Sequence, residues 1–156
     1  MAASKTPEEV VRAWNDLYSK QDIDGALTFL SEDFFKLCDH SLWTPVNREG
    51  WALEQRSFFP AFPDWGWEML SLMTSGDTVV CEFVERATFT DTFAVAGCAF
   101  EPTNESYSDH GTIFFRVNED GLIAEMRTYY TNNLERTFHF LAKITEHFAA
   151  NPQATL

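Results

Sequence analysis

The sequence predicts a single α+β domain in which three helices precede a curved, mostly antiparallel sheet and a fourth helix follows it. Three observations predict this class. Near the N-terminus, capping residues stand directly before apolar residues at helical spacing. From Trp65 onward the pattern becomes strand-like, and its alternation is clearest between Tyr107 and Asn132. Beyond Asn132 a helical stripe returns in Leu134, Phe138, Leu141, Thr145 and Phe148.

Taken in order, Thr6-Pro7-Glu8-Glu9 is a capping box with proline at the first helical position, and Val10, Trp14, Leu17 and Tyr18 then share one face. Asp22 caps a second helix with the stripe Ile23, Ala26, Leu27 and Leu30, closed by the acidic pair Glu32-Asp33. Phe34 to His40 reads as a short strand. Asn47 caps a third helix that turns Trp51, Phe58, Phe59 and Phe62 inward and ends at Pro60 and Pro63. Trp65 to Met73 is a strand, Ser75-Gly76-Asp77 a turn, and Thr78 to Phe89 a long strand rich in Val, Phe and Thr. Thr90 to Glu105 is a connection with room for a short edge strand.

The next segment is a hairpin about Asn118-Glu119-Asp120-Gly121. One parity of its first arm carries Tyr107, Asp109, Gly111, Ile113 and Phe115, and one parity of the second carries Met126, Thr128 and Tyr130. These residues should line whatever pocket the protein has. The last helix, Leu134 to Phe148, either covers the outer sheet face or closes the pocket mouth. The chain of 156 residues holds no repeat or linker, so residues 1–156 form one domain.

Composition excludes several classes of function. The net charge is −13 and only 11 Lys and Arg are spread along the chain, which argues against nucleic acid. No apolar run approaches the roughly 20 residues of a bilayer span. The start MAASKTPEEV lacks an apolar signal stretch, so a cytoplasmic location is expected. Cys38, Cys81 and Cys98 fit no zinc spacing and read as reduced and mostly buried. The four histidines show no metal-binding spacing, and neither a phosphate loop nor a Gly-x-Ser-x-Gly elbow occurs. With 15 Phe, 5 Trp and 4 Tyr, the domain has either an aromatic core or an aromatic-lined cavity. Any catalysis is then expected to be acid/base work without cofactor or metal on a hydrophobic small molecule.

The runs Val10-Val11-Arg12-Ala13-Trp14 and Gln21-Asp22-Ile23-Asp24-Gly25-Ala26-Leu27 are followed by Phe62-Pro63-Asp64 and Ser75-Gly76-Asp77-Thr78-Val79-Val80, then by Pro102-Thr103-Asn104 and Asn118-Glu119-Asp120-Gly121-Leu122-Ile123. In this order and spacing the chain, from about Thr6 to Asn132, resembles the SnoaL-like polyketide cyclases. These belong to the nuclear transport factor 2-like superfamily, which also contains ketosteroid isomerase and limonene epoxide hydrolase. The resemblance implies a cone, in which a bent sheet wraps the N-terminal helices around a deep apolar cavity. It does not by itself fix the chemistry.

Residue by residue, the catalytic patterns of these relatives are altered. At the positions of the isomerase's base, helix tyrosine and sheet aspartate stand Cys38, with Asp39 beside it, Trp14 and Ile113. Arg127-Thr128-Tyr129-Tyr130 resembles the last motif of the epoxide hydrolase, but Thr128 replaces its aspartate. Glu85-Arg86, being adjacent, cannot point to one face as that enzyme's arginine-x-aspartate pair does.

Two classes of function remain. One is a cyclase or isomerase acting on a polyketide-like or terpenoid-like molecule, with epoxide hydrolysis as a further alternative. Its acid/base is Asp39 or Asp109, with His40 beside Asp39 at the strand end, and Tyr107 or Tyr130 polarises an oxygen. The substrate pocket is expected from Trp14, Tyr18, Trp51, Ile113, Phe115, Met126 and Thr128. The other class is a non-catalytic ligand-binding or dimerising domain of the same shape. Parity leaves open which of Glu82, Glu85 and Arg86 face inward, and an outer charge pair reaching Arg127 is the simpler expectation. His139 and His147 fall off the last stripe and are expected in solvent. A homodimer is expected through the outer sheet face, where Phe114 and Tyr129 have outward parity.

Overall fold

A computed structural model describes residues 5–152. Helix α1 (Pro7–Tyr18) begins at the expected capping box, with the Thr6 hydroxyl accepting from the Glu9 amide and the Glu9 carboxylate accepting from the Thr6 amide. Helix α2 (Ile23–Leu27) is capped by Asp22 and is shorter than its apolar stripe suggested. Leu30, Glu32 and Asp33 belong instead to strand β1 (Leu30–Cys38). There Leu30, Phe34, Lys36 and Cys38 turn inward, while Glu32 and Asp33 face solvent.

Asp39 and His40 are not the end of that strand. They lie in a short 3-10 turn, Asp39–Ser41, which leads to β2 (Val46–Asn47) and α3 (Arg48–Ala61). Asn47 caps α3 as expected, accepting from the Gly50 amide. Pro60 sits inside the last turn of α3, and the chain leaves the helix at Phe62. Strands β3 (Gly66–Ser75) and β4 (Thr78–Thr88) follow, joined by the expected turn, in which Gly76 takes φ +61°. The connection after β4 contains a separate two-stranded ribbon, β5 (Phe93–Val95) and β6 (Cys98–Phe100).

The hairpin is β7 (Ser106–Val117) and β8 (Ile123–Tyr130). The main sheet has the order β2-β1-β8-β7-β4-β3, and β1 with β8 is its parallel pair among antiparallel ones. Register shifts near Leu30/Phe35, Met69/Ser71 and Arg116/Val117 bend it. The result is the curled sheet of the implied cone. Its concave face packs on α1 and α3, with Val10, Val11, Trp14, Trp51 and Phe59 meeting Phe83, Phe115 and Met126.

The C-terminal helix is two helices, α4 (Asn133–Phe138) and α5 (Phe140–Ala150), broken at His139, which adopts φ +56°. Phe138 and Phe140 are both buried and stack at 5.3 Å. Residues two apart lie about 200° around a continuous helix, so both rings reach one cluster because the chain turns at His139. Phe140, rather than Thr145, carries the inward face of α5, and Thr145 is exposed. Phe140, Leu141 and Ile144 line the cavity. Of the two positions open to the last helix, it takes the cone mouth.

Candidate functional site

The cone encloses a cavity of about 180 Å³. Its inner wall comes from α1, α3 and the concave sheet face, through Trp14, Tyr18, Trp51, Ile113, Met126 and Thr128. All six are pocket residues that hairpin parity and helix spacing had indicated. Phe115 is the exception: it is buried behind the wall, edge-on to Trp14 at 5.4 Å. Trp65, just before β3, and Trp67, within it, add to the aromatic lining along with Phe58, Phe93, Tyr130 and Phe140, and Trp67 stacks on Phe83 at 4.1 Å.

Glu85 is the carboxylate that enters this cavity from the sheet. It is 7% exposed, at the inward parity of β4, and lies opposite Asp109 of β7. The Tyr107 hydroxyl donates to Glu85 Oε1 at 3.1 Å, and Trp65 Nε1 donates to Oε2 at 3.4 Å. Burial raises its pKa from 4.5 to about 7, against the pull of the Tyr107 hydrogen bond and with the help of the Asp109 charge. Glu82 faces outward toward Ser71, and Arg86 pairs at the surface with Glu68 at 3.8 Å. The outer pair with Arg127 is made by Glu125, at 2.9 Å, not by β4.

Asp109 is buried, as its parity required, but its oxygens are occupied. Thr131 Oγ1 and the Asn133 amide each donate to Oδ1 at 2.7 Å, and the Leu134 amide donates to Oδ2 at 2.9 Å. It thereby fastens the first turn of α4 to the sheet and does not line the cavity. Asp39, in its 3-10 turn, does not line it either. His40 does, stacked on Tyr130 at 4.5 Å, and its Nε2 is buried without a partner. Burial lowers the His40 pKa, and the charge of Lys36 lowers it further, so the ring is neutral near pH 7.

Four further polar residues face the cavity that the sequence alone did not single out: Lys36, Glu54, Gln55 and Glu135. Lys36 Nζ donates to Glu54 Oε2 at 2.6 Å, the lysine from β1 and the glutamate from α3. Burial works to lower the lysine pKa, but the charge and hydrogen bond of Glu54 together with Cys38 and Glu85 outweigh it and the net shift is upward, so the ammonium stays charged. The Tyr18 hydroxyl donates to Gln55 Oε1 at 3.0 Å. Burial, with the Glu85 charge adding to it, pushes Tyr18, Tyr107 and Tyr130 well above their ordinary pKa, so all three keep their protons.

The arrangement brings the Glu85 carboxyl, the Tyr18 and Tyr130 hydroxyls and the partly buried Lys36–Glu54 pair around an aromatic space, while Tyr107 stands behind Glu85 and does not line it. Cys38 and Cys81 are both buried, and burial raises the Cys81 thiol to about 12. Among the described residues no helix is long and apolar enough to cross a membrane.

Solved structures of the same shape bear on this cavity. AclR from Streptomyces galilaeus, a proposed hydroxylase, superimposes with a TM-score of 0.71 at 18% identity, over 88% of this chain and 87% of its own. IdmH from Streptomyces antibioticus, a proposed polyketide cyclase, gives 0.69 at 21% identity over 90% and 99%. A proposed SnoaL-like polyketide cyclase from Jannaschia sp. CCS1 gives 0.68 at 17% over 88% and 96%. At these identities the likeness is one of fold. No curated protein matches the chain in sequence. The sequence profile of the SnoaL-like domain, however, matches residues 11–126. That match runs from within α1 to within β8, through most of the elements that build the cavity wall, and the chain belongs to the family of SnoaL-like domains.

Proposed function

We propose that this protein is an acid/base enzyme of the cyclase or isomerase type, which moves a proton on a hydrophobic small molecule in the cavity with Glu85 as the proton carrier. The supporting observation is a buried carboxyl in an aromatic cavity with a pKa of about 7. Near neutrality such a group is half ionised and both accepts and returns protons. In the working step Glu85 takes a proton from a substrate carbon and the electron pair moves onto a conjugated oxygen. The same carboxyl then returns the proton to another atom of the substrate. Tyr107 and Trp65 hold Glu85 through their hydrogen bonds, and in this proposal Tyr130 and His40, which line the cavity, contact the substrate.

The cavity volume sets a size. A space of about 180 Å³ exceeds the ~150 Å³ that holds a benzene molecule, so one ring fits inside. The rest of a polyketide-like or terpenoid-like molecule projects past the rim, where Val95, Leu141 and Ile144 are partly exposed. Glu85 replaces Asp39 and Asp109 as base in this proposal, since neither lines the cavity. Epoxide hydrolysis is disfavoured because Thr128 offers no carboxylate and Arg127 is bound at the surface by Glu125. We also propose a homodimer through the outer sheet face, where Tyr129 is 44% exposed and packs on Trp43 and Phe114 at 5.0 and 6.0 Å.

Deuterium uptake from D2O into an enolisable ketone such as 2-indanone, followed by mass spectrometry, tests the proton transfer. Wild type should exceed the buffer rate, rising with pH through about 7, and Glu85→Gln should lower it by roughly 10²–10⁴-fold. A wild-type rate equal to buffer would leave only the ligand-binding role.

A further inference from the structure

Lys36 is an unexpected member of an aromatic wall. It lies on β1 opposite Met126, is 8% exposed, and makes its single hydrogen bond among the described residues to Glu54. An ammonium carries three donors, so two remain beyond that bond. Two other wall residues also have unused polar atoms: Trp14 Nε1 and His40 Nε2 are buried without partners. Buried polar groups are nearly always satisfied in folded proteins. Of these groups Lys36 carries free donors in the cavity wall, and it is the ammonium that is suited to receive an acceptor oxygen.

The charges around Lys36 restrict which acceptor. Glu54 already neutralises the ammonium at 2.6 Å, and Glu85 lines the same cavity. A ligand carboxylate would meet both glutamates in a space of low dielectric, within a chain of net charge −13. A carbonyl oxygen accepts the same hydrogen bonds and meets no such repulsion. Taking the cavity as the acid/base site proposed above, we infer that Lys36, positioned by Glu54, is its oxygen-recognition group and limits it to uncharged carbonyl compounds, excluding carboxylates.

Three probes with one phenyl ring test this: acetophenone, ethylbenzene and benzoate, titrated against tryptophan fluorescence. Wild type should bind acetophenone more tightly than ethylbenzene, and benzoate on the order of tenfold more weakly than acetophenone. Lys36→Met combined with Glu54→Gln removes both charges and leaves none unpaired. That variant, with its fold checked by near-ultraviolet circular dichroism, should lose the preference for acetophenone while keeping ethylbenzene affinity. Glu54→Gln alone uncovers the ammonium and should raise benzoate affinity on the order of tenfold, a result that does not depend on the double variant folding.

The inference is overturned if the double variant keeps the ketone preference, if benzoate binds wild type as tightly as acetophenone, or if acetophenone does not bind. Glu85→Gln separates the two proposals, because it should lose deuterium exchange and keep the ketone preference. Wild type that ranks the probes as stated but exchanges no deuterium would refute the acid/base role alone. Exchange that persists beside an unchanged ketone preference in the double variant would refute the Lys36 role alone.

Discussion

Glu85 holds its proton more tightly in the folded chain than in the unfolded one, and stability therefore depends on pH. Its pKa rises from 4.5 to about 7 on folding, so the folded state binds more protons between those values. The stabilising contribution is complete below about pH 4.5 and is lost as pH rises through about 7, with a size on the order of 3 kcal/mol. Glutamine in its place carries no such dependence. Urea unfolding should show Glu85→Gln gaining stability relative to wild type at pH 8 compared with pH 4, and an equal difference at both would contradict a buried titrating carboxyl. Gly111 is a second residue whose identity the packing demands. A Cβ there would run into the Phe83 ring and stand 2.6 Å from the Tyr129 carbonyl oxygen. Gly111→Ala should cost about 1–3 kcal/mol, read as a lower urea midpoint.

Among elements, the helix starts were legible because caps are local chemistry. Thr6, Asp22 and Asn47 each bond an amide within three residues. The break at His139 was not, because it answers a distant cluster in which Phe62, Phe89 and Phe93 receive Phe140. Asp109 shows the same division: parity indicated that it faces inward, but its partners lie 22 to 25 residues later in the chain. Asp109→Ala leaves the Asn133 and Leu134 amides without their acceptor and should cost about 2–4 kcal/mol. Hydrogen exchange should then speed up across α4 and α5 before it changes in β7. Uniform acceleration across the sheet would show that Asp109 supports more than the cone mouth.

For the whole molecule, the outer sheet face carries the proposed dimer. Trp43 and Tyr129 pack on each other at 5.0 Å and still leave 41% and 44% of their surface exposed. Sedimentation should find a dimer at micromolar concentration, and Tyr129→Lys with Trp43→Glu should yield a monomer whose melting temperature changes little. A wild-type monomer would remove the proposal.

Sequence alone determined the order of the main helices and strands, the inward parity of β7 and β8, and part of the aromatic wall, in Trp14, Tyr18 and Trp51, since caps, turns and periodicity act over a few residues. It could not choose between Glu82, Glu85 and Arg86, because β4 carries buried valine on one parity and buried phenylalanine on the other, in Val84 and Phe83. Only the packing of the sheet around α1 and α3 decided that Glu85 faces the cavity, that Asp109 is held by α4, and that Lys36 and Glu54 meet across β1 and α3. A carboxyl becomes titratable near pH 7 through the water that surrounding elements exclude, and that exclusion is a property of the assembled cone.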